Sequence, residues 1–260
     1  MSTVVSGGTV TGPHHEHRGE DNQDAFAVLQ ENGFTVIAAA DGAGSLALSG
    51  IGASIAASTA VNEAMDCLTA GCGAPEAVEN AITCAREALR SRPDVDQLGC
   101  TLAVAVLTGS DWATGVVGDA FTVVSHDATT HEFIAPERES EYANITKLLT
   151  SKSITPRYAS GQGNPVAVAV ASDGLLSTSV KGGEASEGFW NPLIARATNG
   201  VMDAQAFLYY MRDNEKLDDD ATLVIAARVV DAESDHAPQS GESVSAIPTA
   251  PEELSTLIEQ

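Results

Sequence analysis

Three apolar stretches of this chain end in an aspartate beside a glycine: Ile37-Ala38-Ala39-Ala40-Asp41-Gly42, Val116-Val117-Gly118-Asp119 and Val170-Ala171-Ser172-Asp173-Gly174. A fourth acidic group, Asp218-Asp219-Asp220, stands immediately before the last apolar run. Asp24, in Asn22-Gln23-Asp24-Ala25-Phe26, precedes the first. Taken singly, each such pair is explained by a turn, because Asp bonds its own backbone and Gly accepts positive φ. Taken together, they allow a shared chemistry. Ends of neighbouring strands lie close in space, so their carboxylates can meet, and unpaired carboxylates gathered in one place repel and resist ionisation. Hard divalent cations with oxygen ligands relieve that repulsion, which is the composition Mg²⁺ and Mn²⁺ favour. A glycine beside the acid lets a backbone carbonyl approach the ion. The pattern predicts a metal centre drawn from these five acidic sites, Asp24, Asp41, Asp119, Asp173 and the run Asp218-Asp219-Asp220.

The elements that must position these residues are legible in outline. Residues 36–40, 101–107, 112–117, 121–125, 166–171 and 222–230 are apolar runs that read as strands. Helical spacing covers 49–65, where Ile51, Ile55, Ser58/Thr59 and Asn62 step round one side and the many Ala and Gly suggest close approach to a sheet. A second helix spans about 75–90, with Ala77, Val78, Ala81, Ala85 and Leu89 as its buried stripe. Residues 140–150 read as weakly helical, and helical patterns occupy about 190–199 and 203–213. Strand runs outnumber helices and are joined by short turns, so hairpins are expected rather than alternating βα units. The fold class expected is α+β, a four-layer sandwich of two antiparallel sheets flanked by helices. Residues 1–230 form one domain on this reading. Residues 231–260, rich in Glu, Ser, Pro and Gly, form an acidic tail too poor in large apolar residues to offset ordering entropy.

With 36 acidic and 13 basic residues the net charge is −23. The tail holds seven of the acids and no Lys or Arg, so the folded body is acidic too. Such a field opposes nucleic acid and anionic membrane surfaces, and admits a phosphorylated ligand only where something locally positive receives it. Cys67, Cys72, Cys84 and Cys100 lack zinc-type spacing and read as buried free thiols in a reducing compartment. No basic stretch followed by an apolar run opens the chain, and no apolar segment is long enough to span a bilayer. A soluble, cytoplasmic protein is expected.

The acids also resemble a family in their order and flanks. The blocks Asn22-Gln23-Asp24-Ala25-Phe26, Ala40-Asp41-Gly42-Ala43-Gly44-Ser45, Gly99-Cys100-Thr101-Leu102-Ala103, Val117-Gly118-Asp119-Ala120, Ala171-Ser172-Asp173-Gly174-Leu175 and Asp219-Asp220-Ala221-Thr222-Leu223 resemble, in order, the signature blocks of the metal-dependent type 2C protein phosphatases. The likeness is to their short bacterial branch and covers about residues 12–230. It implies that Asp41 bridges two Mg²⁺ or Mn²⁺ ions and that the Gly42 carbonyl binds one. Asp173 and Asp219 would hold the other, and Asp24 would bind directly or through a water. Asp119 with Asp173 would hold a third, weaker ion. The implied activity is hydrolysis of phosphoserine and phosphothreonine in proteins by direct attack of water, with no phosphoenzyme. A phosphorylated protein substrate, a cognate Ser/Thr kinase and a monomeric enzyme complete the expectation.

Departures from that pattern fall around the metals. The arginine that many members place five residues before the first-block Asp is Gly19 here, leaving Arg18 as the candidate phosphate clamp. The proton-donating His of the eukaryotic branch is replaced by Ala43. One of His14, His15 and His17, with His17 as the candidate, or a metal-bound water would substitute. Gln23 stands where some relatives carry a second-metal carboxylate, and residues 126–165 lack much of the flap of larger members. The alternative to an enzyme is a pseudophosphatase that binds phosphoproteins with little or no turnover. The acidic body further suggests substrates with basic residues around the phosphosite.

Overall fold

In the computed structural model, residues 2–135 and 146–229 are described. Strand β1 (Ser2–Val10) and the short helix α1 (Pro13–Arg18) precede a hairpin of β2 (Ala25–Glu31) and β3 (Phe34–Ala40). Helices α2 (Ser49–Thr69) and α3 (Ala74–Arg90) follow, then β4 (Leu102–Leu107), β5 (Asp111–Val117), β6 (Phe121–Ser125) and β7 (His131–Ile134). The chain continues through β8 (Arg157–Gln162), β9 (Ala167–Ala171), α4 (Leu176–Ser179) and a small hairpin of β10 (Val180–Lys181) and β11 (Glu184–Ala185). It ends in α5 (Glu187–Thr198), α6 (Ala204–Asp213) and β12 (Ala221–Val229). Two five-stranded antiparallel sheets result, in the orders β1-β12-β9-β6-β7 and β2-β3-β4-β5-β8.

Three apolar layers separate four structural ones. Alternate residues of β3 and β4, such as Val36, Ala38, Val104 and Val106, pack under α2 and α3, while Ile37, Ala39, Ala103 and Ala105 meet Val168, Val170, Val224 and Ala226 of the other sheet. The opposite face of β9 and β12 packs on Trp190, Leu193, Phe207 and Leu208 of α5 and α6. Central strands are thus covered on both faces, which is why they read as unbroken apolar runs. Along α2 the small residues Ala53, Ala56, Ala57, Ala60 and Ala64 are buried, and the Ile51 side faces solvent. A β carbon on Gly52 would lie 2.2 Å from the Leu98 carbonyl oxygen, a measure of how closely the helix approaches.

The expected sandwich and hairpins are present. Four strands of the two large sheets escaped the sequence pattern: β1, β2, β7 and β8 mix Ser, Gly, Thr or charged residues with apolar ones. All four are sheet edges, where one side of the strand needs no apolar cover. Of the helical pattern at 140–150, residues 140–145 lie outside the described residues and 146–150 form no helix. The tail 231–260 also lies outside them.

The cysteine reading needs correction: Cys67 and Cys72 form a disulfide, and only Cys84 and Cys100 are free thiols. The end of α2 is responsible. Gly71 takes φ 98°, its N–H donates to the Leu68 carbonyl (3.0 Å), and the Cys72 N–H donates back to the Cys67 carbonyl (3.0 Å). This left-handed helix stop brings the residue after the glycine onto the last turn, so two cysteines five apart become neighbours.

Candidate metal centre

Antiparallel pairing decides where the aspartates go. Ala39 pairs with Ala103, Leu102 with Val117, Phe121 with Ala171 and Ala171 with Leu223. The ends of β3, β5 and β9 and the starts of β4, β6 and β12 therefore share one end of the sandwich. Asp41 leaves β3 there, its N–H donating to Thr101 Oγ1 (3.1 Å) and its carbonyl accepting from the Thr101 N–H (2.8 Å). Asp119 follows Gly118, whose φ of 85° makes the turn into β6, and accepts from the Thr146 hydroxyl at 2.5 Å. Asp173 leaves β9, fixed by reciprocal bonds between Ser172 and Thr222: Ser172 N–H to the Thr222 carbonyl (3.1 Å) and Thr222 N–H to Ser172 Oγ (2.8 Å).

Asp41, Asp119 and Asp173 each present a carboxylate oxygen within 4.8 Å of the others. Asp24, directly before β2, is buried beside them; its N–H donates to Asn22 Oδ1 (2.9 Å). Neither of its carboxylate oxygens has a well-formed hydrogen bond, although the Ser172 and Thr222 hydroxyls and the Asp41 carboxyl lie close enough to offset part of the cost of burial. Burial, with the charge of Asp220, still leaves the Asp24 carboxyl above the ordinary carboxylate range. Asp41 is pushed far upward, first by burial and then by the charges of Asp24, Asp173 and Asp119. Asp173 rises to about 7 through burial and the charges of Asp119, Asp24 and Asp219.

Asp24, Asp41 and Asp173, whose carboxyls resist ionisation, form with Asp119 an all-oxygen donor set, and both oxygens of Asp24 are buried and unpartnered. Such a set fits hard divalent cations. Gly42 lies among them: its N–H donates to the Gln23 carbonyl (3.2 Å), and a β carbon there would come within 2.7 Å of that oxygen and of the Ser49 carbonyl carbon. Cys100, bridged to Gly42, is fully buried; burial and the Asp41 charge hold its thiol protonated, unlike an activated nucleophile.

The remaining candidates sit further out. Asp219 is exposed and accepts from the Asp220 N–H (2.9 Å). Arg18 and His17 lie on the exposed side of α1, and Arg18 is paired with Glu20 (Nη2 to Oε2, 2.7 Å). Two residues that the sequence reading named only within groups, Asp220 and His15, are buried instead. Asp220 accepts from the Gly12 N–H (Oδ1, 2.8 Å) and the Gln23 N–H (Oδ2, 2.7 Å), tying the segments before α1 and before Asp24 to the start of β12. His15 Nδ1 lies 2.9 Å from Asp220 Oδ1, but off the hydrogen-bond direction, and 4.0 Å from Asp219 Oδ1. His15, Asp219 and Asp220 thus form a second group of possible ion ligands beside the first. The run of three aspartates was the available signal for Asp220; nothing local distinguishes His15 from its neighbours.

The αββα sandwich gathers carboxylates from the turns at one end of both sheets into an oxygen-donor group of the kind that could hold metal ions. The family model for Protein phosphatase 2C matches residues 11–208, and this chain belongs to that family. Comparison with curated protein sequences gives no match. Among solved structures the chain is similar to a bacterial serine phosphatase (17% identity, TM-score 0.62, covering 88% of this chain and 99% of that one). It is also similar to serine/threonine phosphatase Stp1 from Staphylococcus aureus (18%, 0.60, 87% and 95%) and to PstP/Ppp from Mycobacterium tuberculosis (15%, 0.57, 88% and 100%). At these identities the likeness is one of fold.

Proposed function

We propose that this protein is a Mg²⁺- or Mn²⁺-dependent phosphatase of phosphoserine and phosphothreonine in proteins. The convergence of Asp41, Asp119 and Asp173 within 4.8 Å, in a member of the protein phosphatase 2C family, carries the reading. Asp41 and the Gly42 carbonyl would hold ions together with Asp173 and Asp219. Asp24 adds charge from beneath, and Asp119 with Asp173 would hold a third, weaker ion. When bound, such ions supply an ionised water as nucleophile and positive charge for the phosphoryl oxygens. The chain's own part is to hold these carboxylates close, and to fix them through Thr101, Ser172–Thr222 and Asp220. Arg18 can meet a phosphate only by leaving Glu20, and His17 faces solvent.

A cavity of about 960 Å³ lies along the start of α2, lined in part by Glu20, Asp21, Ser45, Ile51 and Ser54 and by no Lys or Arg. It supports a substrate chain with basic residues flanking the phosphosite. The domain reading follows: residues 1–230 are the catalytic unit and 231–260 an appended acidic tail. Among the described residues no helix is long and apolar enough to cross a membrane. The reading keeps a cytoplasmic monomer acting on targets of a Ser/Thr kinase. The full carboxylate set weighs against a pseudophosphatase.

The test is hydrolysis of a phosphoserine peptide. Activity is expected with Mn²⁺, to be lost with chelator and in Asp173→Asn. A folded protein inactive with every divalent ion would sink the proposal.

A further inference from the structure

Arg86 and Arg90 stand one turn apart on α3 and reach across to the segment that precedes β8. Arg86 donates from Nη1 to the Leu149 carbonyl and from Nη2 to the carbonyls of Ser151 (2.7 Å) and Lys152 (3.1 Å). Arg90 Nη1 donates to the carbonyls of Thr150 (3.1 Å) and Ser151 (3.3 Å). Four successive carbonyls thus converge on two guanidinium groups. Among the described residues neither arginine has a carboxylate within ion-pairing distance, which is notable in a chain with 36 acids. Like charges at this spacing disfavour each other, and desolvation together with Arg90 makes the Arg86 charge harder to hold.

The held segment leads to the metal centre within a few residues. Thr146 donates its hydroxyl to Asp119 Oδ2 at 2.5 Å. The Leu149 N–H donates to the Cys100 carbonyl (2.8 Å), one residue from the Thr101 that brackets Asp41. Residues 146–152 are neither helix nor strand. Their backbone is held by that bond, by a turn (Ser151 N–H to the Leu148 carbonyl, 2.9 Å; Leu148 N–H to Ser151 Oγ, 3.0 Å) and by the two arginines. A hydroxyl can orient a carboxylate only if its own backbone is fixed. Lys in place of Arg would keep the charge but not the planar fork that spans several carbonyls.

We propose that Arg86 is a positioning residue: by clamping the carbonyls of residues 149–152 it fixes Thr146 against Asp119 and so sets the affinity of the ion that Asp119 would hold. This rests on the metal-centre reading above. Partners of this kind, one bond removed from a ligand, typically change metal affinity by about 10–100-fold.

The experiment is calorimetric titration of Mn²⁺ into the full chain and into Arg86→Ala, Arg86→Lys, Thr146→Val and the Arg86→Ala/Thr146→Val double variant. The weakest binding event should weaken by about tenfold in Arg86→Ala and in Thr146→Val, and by less in Arg86→Lys. Tighter events should not move, and the double variant should be no weaker than either single one, because both act through one bond. An unchanged titration in Arg86→Ala overturns the proposal, as does additive loss in the double variant. If Arg86→Ala fails to fold, Thr146→Val and Arg86→Lys decide it by the same criteria. A native chain that takes up no Mn²⁺ overturns the metal reading itself, a result distinct from an unaltered variant of an ion-binding protein.

Discussion

Replacing Asp173 by asparagine should change stability in opposite directions with and without divalent ion. The Asp173 carboxyl rises from 3.8 to about 7, through burial first and the charges of Asp119, Asp24 and Asp219 next. A folded-state value above the unfolded one means that the native protein keeps a proton the unfolded chain has released. The stability this contributes is complete below about pH 4 and lost as pH rises through about 7. Roughly three pH units at 1.36 kcal/mol each set a ceiling of about 4 kcal/mol, and partial solvent access brings the expectation to about 2–4 kcal/mol. Asparagine keeps the shape and removes the charge. In chelator at pH 8, Asp173→Asn should therefore melt about 5–10 °C above the native sequence, and the gap should narrow toward pH 5. With Mn²⁺ at about a thousand times its Kd the order should reverse, because an ion bound only to the folded state then stabilises the native carboxylate set by about 4.1 kcal/mol. Scanning calorimetry in chelator and in Mn²⁺, at both pH values, reads all four numbers. A variant less stable than the native sequence in chelator at pH 8 would refute the idea that mutual repulsion among these carboxylates is what an ion relieves.

Asp220→Ala removes the acceptor of the Gly12 and Gln23 N–H groups and should cost on the order of 3–5 kcal/mol in urea denaturation. A loss under about 0.5 kcal/mol would mean that water replaces the carboxylate there. In Gly174→Ala the new β carbon would sit 2.0 Å from the Asp220 carbonyl oxygen, forcing β9 and β12 apart at the metal end. It should cost about 1–3 kcal/mol or more even in chelator, and unchanged melting would contradict that close approach. Reducing the Cys67–Cys72 disulfide should lower stability by about 2 kcal/mol, the chain-entropy value for so short a loop; identical melting curves with and without reductant would show that the link is absent or idle.

Edge and centre of the sheets differed in how far pattern revealed them. Residues 101–107 and 222–229 announce themselves because both faces of β4 and β12 are covered, so nearly every residue is apolar. β8, Arg-Tyr-Ala-Ser-Gly-Gln, carries no such constraint and was visible only once Trp112 and Ala113 of β5 had paired with it. Helix ends were similarly divided. The buried stripe of α3 follows its spacing, but the disulfide after α2 depends on the backbone turn at Gly71, for which residue spacing alone offers no measure.

The aspartates are the part that the sequence by itself determined. Asp41, Asp119 and Asp173 each end an apolar run beside glycine, and because the covered strands are antiparallel and joined by short turns, those ends had few places to go. Tertiary structure decided which acids share the centre and in what role. It set Asp24 beneath Asp41, left Asp219 exposed, and turned the adjacent Asp220 inward as an anchor for Gly12 and Gln23. It also buried His15 while His17 and Arg18 faced solvent. Neighbours in sequence received opposite environments because burial and charge are summed over residues up to two hundred positions apart, and only the packed chain brings those together.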